Sequence, residues 1–461
     1  MNDLEEVRYP WDNLAQFLSG GYPAETEALH LVLGWLFVLW LIVWVQRNRD
    51  FAVSFRFSTL YFALTVFTNP AYTMAGVSLN EMFGVLAISC LVLARRPPRL
   101  SDASPVCIGL FAVFFVSLLH MLVAQLIYPE LTSEAGVWFT KFAINAKILV
   151  LAVNLLIVGH TLRRGVGVDL LVKSCIAAGT AGLCLYVLQL GVLLSGTPPY
   201  GTYLDAGFVG VPSFGSVSVE RGHFGKFMAP YFPFFLFALL AWQWRCRFYL
   251  LTLVTLINFS ASSQVFFAVF SMLALWKFRH RASGWTAFMG AVVLGGAMAA
   301  LLVNYWEVFS AVGLKIYEIA IQGDESTGGG RSFGTFLDYA RAYPLGLGYS
   351  GSTLRTAPGL PEINAAHFAF VTQYSFLAVP VLVGYFFLMW RTIKLTKAGP
   401  LFLDAMSIGV VMSMVIFAID ILWFVPLIWL PYEMIWRLHR KATTPPPQLP
   451  VTTPDRAEST G

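Results

Sequence analysis

The chain has 461 residues, 57% of them hydrophobic and only 12% charged, with a formal net charge of +5. A soluble domain carries about 25% charged residues, so this composition excludes a string of soluble domains and describes a polytopic membrane protein. The positive balance is divided among short loops, with no polybasic run of the kind that binds nucleic acid.

A bilayer crossing needs about 20 predominantly apolar residues. Residues 1–28 form a polar, net acidic segment without the apolar core of a signal peptide. Residues 29–304 then hold ten predicted helices, at 29–46, 57–75, 79–95, 104–127, 138–159, 168–196, 224–243, 247–260, 262–278 and 284–304. The pair 247–260 and 262–278 is short for two crossings and is separated by a polar belt, Asn258 and Ser260–Gln264. Residues 305–366 are the one long hydrophilic stretch: a helical pattern from Trp306 to Ile321, three glycines and Arg331, a second amphipathic pattern from Phe333 to Ala342, then Pro344-Leu-Gly-Leu-Gly348. Helix, glycine hinge, helix and glycine turn describe a folded cap rather than a slack linker. Residues 367–441 return to the membrane with spans at 367–390, 402–419 and 421–437. The last two, interrupted by Asp420, Pro426 and Pro431, read either as two spans or as one kinked helix with an interfacial piece. Residues 442–461, with Pro445–Pro447, form a disordered tail. The expected fold is all-α: a transmembrane helical bundle of twelve or thirteen spans under a helical extracytoplasmic loop cap.

Basic residues mark alternate loops: Arg47 and Arg49, Arg95 to Arg99, Arg163 and Arg164, Arg245 and Arg247, Lys277 to Arg281, Arg391 to Lys397, and Arg437 to Lys441. Positive loops stay in the cytoplasm, which puts the acidic N-terminus outside and the tail inside. The five cysteines lie in or beside apolar segments, read as small hydrophobes rather than disulfide partners or metal ligands.

The opposite face carries two longer loops, about 196–225 and 305–366, in which Lys and Arg are sparse. Two arginines there stand beside glycine: Arg221 before Gly222, and Arg331 after three glycines. A guanidinium pairs bidentately with phosphate oxygens, and neighbouring glycines let backbone N–H groups approach the same anion. His223 and His367 both fall where a long apolar helix begins on this face. A helix N-terminus favours anions and keeps a nearby imidazole neutral, as a general base must be. His120, inside a span, is read as a hydrogen-bonded packing residue, and Lys147 as the deepest lysine. Arg221 and Arg331 are therefore candidates to hold an anion and His223 and His367 alternative candidates for the base, with Gly222, Lys226, Gln264, Lys315, Tyr339, Gly348 and Asn364 as further substrate-binding candidates.

From about residue 200 onwards the chain resembles the O-antigen ligase and O-antigen polymerase superfamily. Three elements carry the resemblance: Arg221-Gly222 with Gly225 and Pro230; Ser260 to Gln264; and Arg331 followed by Pro344-Leu345-Gly346-Leu347-Gly348 and then His367. Gln264 stands where the family usually has arginine, and Phe368 where it has asparagine. The resemblance implies a multi-pass glycosyltransferase of the GT-C type in a bacterial inner membrane, with its active site facing the periplasm or exterior. It implies no metal or cofactor: the donor glycan rides on undecaprenyl diphosphate, and the acceptor is a sugar hydroxyl. The arginines would hold the diphosphate, and His367 would take the proton from the attacking hydroxyl. Implied partners are the lipid-linked donor, the glycan acceptor, membrane lipids, a chain-length regulator and a flippase. Within the class, a polymerase of repeat units is the leading expectation and a ligase onto lipid A-core its sister. The rival from another class is a lipid-linked oligosaccharide flippase or transporter, which would line a mid-membrane cavity with charge.

Overall fold

A computed structural model of the chain describes residues 29–74, 77–94, 97–128, 135–194, 203–204, 212–213, 215–218, 221–258, 260–278, 333–346, 374, 377–396, 400–419 and 422–443. Helix dominates them. Among the described residues, seven helical stretches are long and apolar enough to cross a membrane: Leu29–Arg47, Pro105–Ala124, Asn145–Arg163, Val168–Val192, His223–Trp242, Ala378–Leu395 and Leu401–Ala418. Shorter apolar helices cover Leu79–Val92 and Val265–Phe278. The two strand pairs are minimal: β1 (Thr73–Met74) with β2 (Val77–Ser78), and β3 (Tyr203–Leu204) with β4 (Pro212–Ser213), both antiparallel.

Helix α1 (Leu29–Arg47) is apolar on every side and ends on Arg47, a cation at the negative end of the helix dipole. His30, Leu31, Gly34, Val38, Leu41 and Val45 form its buried stripe, while Leu36, Leu39, Trp40 and Val43 stay exposed, as a lipid-facing surface should. Helix α2 (Val53–Ala63) stops well short of the predicted 57–75 span. Beyond Ala63 the chain turns through Asn69 into a 3-10 turn at Pro70–Tyr72, because the residue before a proline avoids the helical region. Unwound backbone inside a bundle survives only when its polar groups are satisfied. Here the Tyr231 hydroxyl accepts from Val66 N (3.0 Å) and donates to Ala63 O (2.7 Å), and Ser218 Oγ donates to Val66 O (2.9 Å).

Four helices follow: α3 (Leu79–Val92), α4 (Pro105–Ile127), α5 (Ala135–Arg163) and α6 (Val168–Leu194). Pro105 opens α4 at the position where a missing N–H costs least, and Ser104 Oγ caps it by accepting from Cys107 N. Next come α7 (Arg221–Met228), a 3-10 turn at Ala229–Tyr231, and α8 (Phe232–Trp242), which closes on Gln243 at φ 55°. The short pair is two helices, α9 (Arg245–Ile257) and α10 (Ala261–Phe278), with the polar belt at their junction. Helix α11 (Phe333–Ala342) belongs to the hydrophilic stretch. Then come α12 (Ala378–Leu395), α13 (Leu401–Ile419) and α14 (Pro426–Thr443). The last two are distinct helices; Pro426 starts α14, and Pro431 lies within it against Gly409 of α13.

Polar contacts gather the basic loops at one end of the bundle. Arg56 binds the Gln46 carbonyl, Lys277 pairs with Asp404 (3.2 Å), and Arg163 pairs with Asp102 (2.6 Å). The largest group centres on Glu433, fully buried on α14, which accepts from Ser104 Oγ and from Arg437 Nε (2.6 Å). Arg437 reaches on to the Asp102 carbonyl, and His160 Nδ1 lies 3.4 Å from the Asp102 carboxylate. Lys147 is not a lone buried charge: it pairs with Glu81 at 2.7 Å, near the opposite end. The cysteines are free thiols; Cys107 and Cys175 are buried, Cys184 and Cys246 exposed.

The Arg99 backbone N–H, with help from His160 and Arg163, holds the Asp102 carboxyl below the usual carboxylate range, against some burial. A folded pKa below the unfolded one gives stability that is present above about pH 4 and lost as pH falls through the folded value. In thermal unfolding scans below about pH 4, the wild-type protein should therefore lose more stability than Asp102→Asn. Equal losses in the two proteins would remove Asp102 from the account.

The charge asymmetry also fixes an expected orientation, with the Lys394 loop cytoplasmic and residue 326 exported. In a cysteine-free background, Lys394→Cys and Ser326→Cys should react with an impermeant thiol reagent from opposite sides. Labelling from the same side would overturn that orientation.

Candidate functional site

The segment entering α7 is held by a buried polar knot that hydropathy does not reveal. Ser216 takes a left-handed conformation (φ 57°), rare for a residue with a side chain. Its N–H donates to Gln189 Oε1 (2.7 Å) and its hydroxyl to the Gly182 carbonyl (2.6 Å), both on α6. Asn69 N donates to Val217 O (2.8 Å), and Asn69 Nδ2 reaches Ser218 O (3.3 Å). Residues 215–218 are thus fixed to α6 and to the unwound end of α2, three residues before Arg221. The signal was present in Ser216, Ser218, Asn69 and Gln189, but these polar residues are far apart in sequence.

Arg221, Gly222, His223 and Lys226 all fall on α7, the first three in its opening turn. The helix is pinned from below by Phe224, fully packed and stacked on Tyr186 of α6 at 5.3 Å. His223 is half-buried with its ring 6.4 Å from that of Phe227, one turn on. Pro230 and Pro233 break the ladder between α7 and α8, and the Tyr231 hydroxyl ties that break to α2. Phe224 and the Tyr231 hydroxyl thus fix α7 and the turn after it to α6 and α2.

Gly225 brings the second element in. A Cβ at that position would meet the Ser263 side chain and lie 3.1 Å from the Ser263 Cα. The first turn of α10, containing Ser263 and Gln264, therefore packs directly against α7. Asn258 Nδ2 donates to Ser263 Oγ at 2.6 Å, closing the turn between α9 and α10, and Asn258, Ser260 and Ser263 are all buried. The contact thus joins the second turn of α7 to the first turn of α10, and a helix N-terminus is the positive end of a dipole. Such an end favours anions. The sequence elements around Arg221 and Gln264, forty-three residues apart in number, are neighbours in space.

Gly225→Ala tests that closeness. Its methyl group would overpack the contact with Ser263, at an expected cost of about 1–3 kcal/mol. Gly191→Ala, with nothing within 4 Å of its new Cβ, serves as the neutral control. Indistinguishable melting temperatures for the two variants would refute the tight approach of α7 and α10.

The hydrophilic stretch is described over its second helix and turn. Tyr339 of α11 is fully buried, with its ring 6.4 Å from Tyr343. Gly346 N donates to Tyr343 O (2.9 Å), and Gly346 adopts φ 77°, which explains the glycine of the Pro-Leu-Gly turn. This turn docks on the end of α4 remote from the basic network. His120 Nε2 donates to the Leu345 carbonyl (2.8 Å), and Tyr343 packs edge-on to Tyr128 (5.4 Å). Tyr374 completes the contact, hydrogen-bonded to Ser117 (2.6 Å) with its ring 5.8 Å from His120. His120 is therefore the hydrogen-bonded packing residue expected for it, and what it holds is the turn of the hydrophilic stretch. Arg331, Lys315, Gly348, Asn364 and His367 lie outside the described residues, as does residue 326. So do most of the 305–366 stretch and the predicted span 284–304.

Among the described residues no group of three His, Cys, Asp or Glu side chains is placed to hold a metal ion. No family model, curated protein or solved structure matches the chain.

Proposed function

We propose that this protein is a membrane glycosyltransferase that polymerises undecaprenyl-diphosphate-linked oligosaccharide repeat units into exopolysaccharide or O-antigen at the outer face of a bacterial inner membrane. The observation that supports the reading is the close contact, at Gly225 and Ser263, between α7, which opens at Arg221, and the first turn of α10, which contains Gln264. Positive helix ends and an arginine suit a diphosphate leaving group, whose charge grows as the glycosidic bond breaks. The donor sugar carbon is attacked by the acceptor hydroxyl, the bond to the diphosphate breaks, and the hydroxyl proton passes to His367. Arg331 joins Arg221 on the diphosphate from the cap side. The cap's turn is seated on His120 and Tyr128 at the end of α4 away from the basic loops, which agrees with an outward-facing site.

The test is direct. Purified protein in liposomes, given lipid-linked repeat units and no nucleotide sugar, should produce a ladder of longer lipid-linked glycans. Transfer to lipid A-core in place of chain growth would identify the sister ligase. Transbilayer movement of the lipid-linked unit without any new bond would replace the reading with a flippase.

A further inference from the structure

A cavity of about 660 Å³ lies between α4 and α12, backed by aromatic residues of α13, α14 and the turn between them. Gly109 and Val113 of α4 face Val381 and Gly384 of α12, with Phe417 and Trp429 behind them. Two glycines border the slot's open space: a Cβ at Gly109 or Gly384 would touch nothing within 4 Å. The outer faces of both helices are exposed and apolar, with Phe115 and Leu119 on α4 and Val383 and Phe387 on α12. The slot therefore opens sideways into hydrocarbon.

Its aromatic wall turns its polar atoms away. Trp429 Nε1 donates to the Trp423 carbonyl (2.6 Å), Trp436 Nε1 to Thr392 Oγ1 (2.9 Å), and the Tyr385 hydroxyl pairs with Ser413 (2.9 Å). The surface left facing the cavity is hydrocarbon, which does not retain water but accepts an alkyl chain.

Length and charge identify the occupant. From Pro105, at the basic end, to Val116 the lining of α4 rises about 17 Å, at 1.5 Å per residue. That is about one leaflet of a hydrocarbon core roughly 30 Å thick. The one charged residue in the lining is Arg391, at the same basic end, exposed and without an ion pair among the described residues. Lys394 follows one turn later, over the Trp390 ring at 3.6 Å, and α12 contains no carboxylate. Basic pockets between helices on the cytoplasmic side bind anionic lipid headgroups.

We infer that this slot is a binding site for one anionic phospholipid of the leaflet on the basic side, its phosphate on Arg391 and one acyl chain between Gly109 and Gly384. The inference does not rest on the proposed glycan chemistry. The carrier lipid of that reaction would have its diphosphate at the other end of the bundle.

The test is native mass spectrometry of the full chain titrated with phosphatidylglycerol or phosphatidylcholine, alongside Gly109→Leu, Gly384→Leu and Arg391→Gln. The wild type should take up one phosphatidylglycerol roughly fivefold to tenfold more tightly than phosphatidylcholine. Arg391→Gln should bind the two equally. Each leucine variant has room to fold and should lose the tight site for both lipids. Equal binding of both lipids by the wild type would overturn the inference. So would phosphatidylglycerol binding retained by both leucine variants, or its displacement by equimolar undecaprenyl phosphate.

Discussion

His367→Ala is expected to give a folded, membrane-inserted protein whose glycan extension rate is reduced roughly 10²–10⁴-fold, the usual worth of a general base. The attacking hydroxyl is a weak nucleophile until its proton is taken. On the proposed reading His367, which follows the Pro-Leu-Gly-Leu-Gly element in sequence, is the group that takes it. The competitor is His223, two residues from Arg221 in the first turn of α7. Its ring stacks on Phe227, a packing contact that a proton-transfer group does not need. His223→Ala should therefore lower activity much less. The measurement is the initial rate of extension of lipid-linked repeat units by each purified variant. An inactive His223→Ala beside an active His367→Ala would reassign the base.

Spans that are apolar throughout were legible to within a residue or so. The predicted 29–46, 104–127 and 402–419 correspond to Leu29–Arg47, Pro105–Ile127 and Leu401–Ile419. In each, hydropathy alone determines the state, because a bilayer leaves unbroken apolar chain no alternative to helix. The 57–75 span failed for a reason no window can sense. Its apolar residues continue past Ala63, but the backbone there is satisfied by Tyr231 and Ser218, more than 150 residues away. Lys147 illustrates the same limit: the sequence shows a lysine within an apolar span, but its partner Glu81 lies on another helix. At the candidate site, Arg221 and Gln264 were visible as polar residues in an apolar setting. That Gly225 lets their helices touch, and that Ser216 locks the approach to α7, are facts of packing and side-chain to backbone bonding. The buried Glu433 group was missed for a related reason, since its members Ser104, Asp102 and Arg437 come from both halves of the chain.

Arg221→Lys and Arg331→Lys should each reduce extension by roughly 10- to 100-fold, the cost of about 1.5–3 kcal/mol for a lost charge-assisted hydrogen bond. Both variants keep the charge, so any helix-anchoring role at the membrane surface is preserved along with expression. What lysine loses is the planar fork that grips two phosphate oxygens at once. The loss should fall on kcat more than on KM, because the leaving diphosphate gains charge only as the bond breaks. Arg221 opens α7, whose second turn packs on the first turn of α10. Arg331, set among glycines in the cap stretch, comes from a separate element of the chain. If both hold one diphosphate, the double variant should lose far less than the product of the single losses, since residues acting as a unit are not additive. Strictly multiplicative losses would place the two arginines on different groups. Full activity in both single variants would reduce them to headgroup anchors and remove the donor site from this end of the bundle.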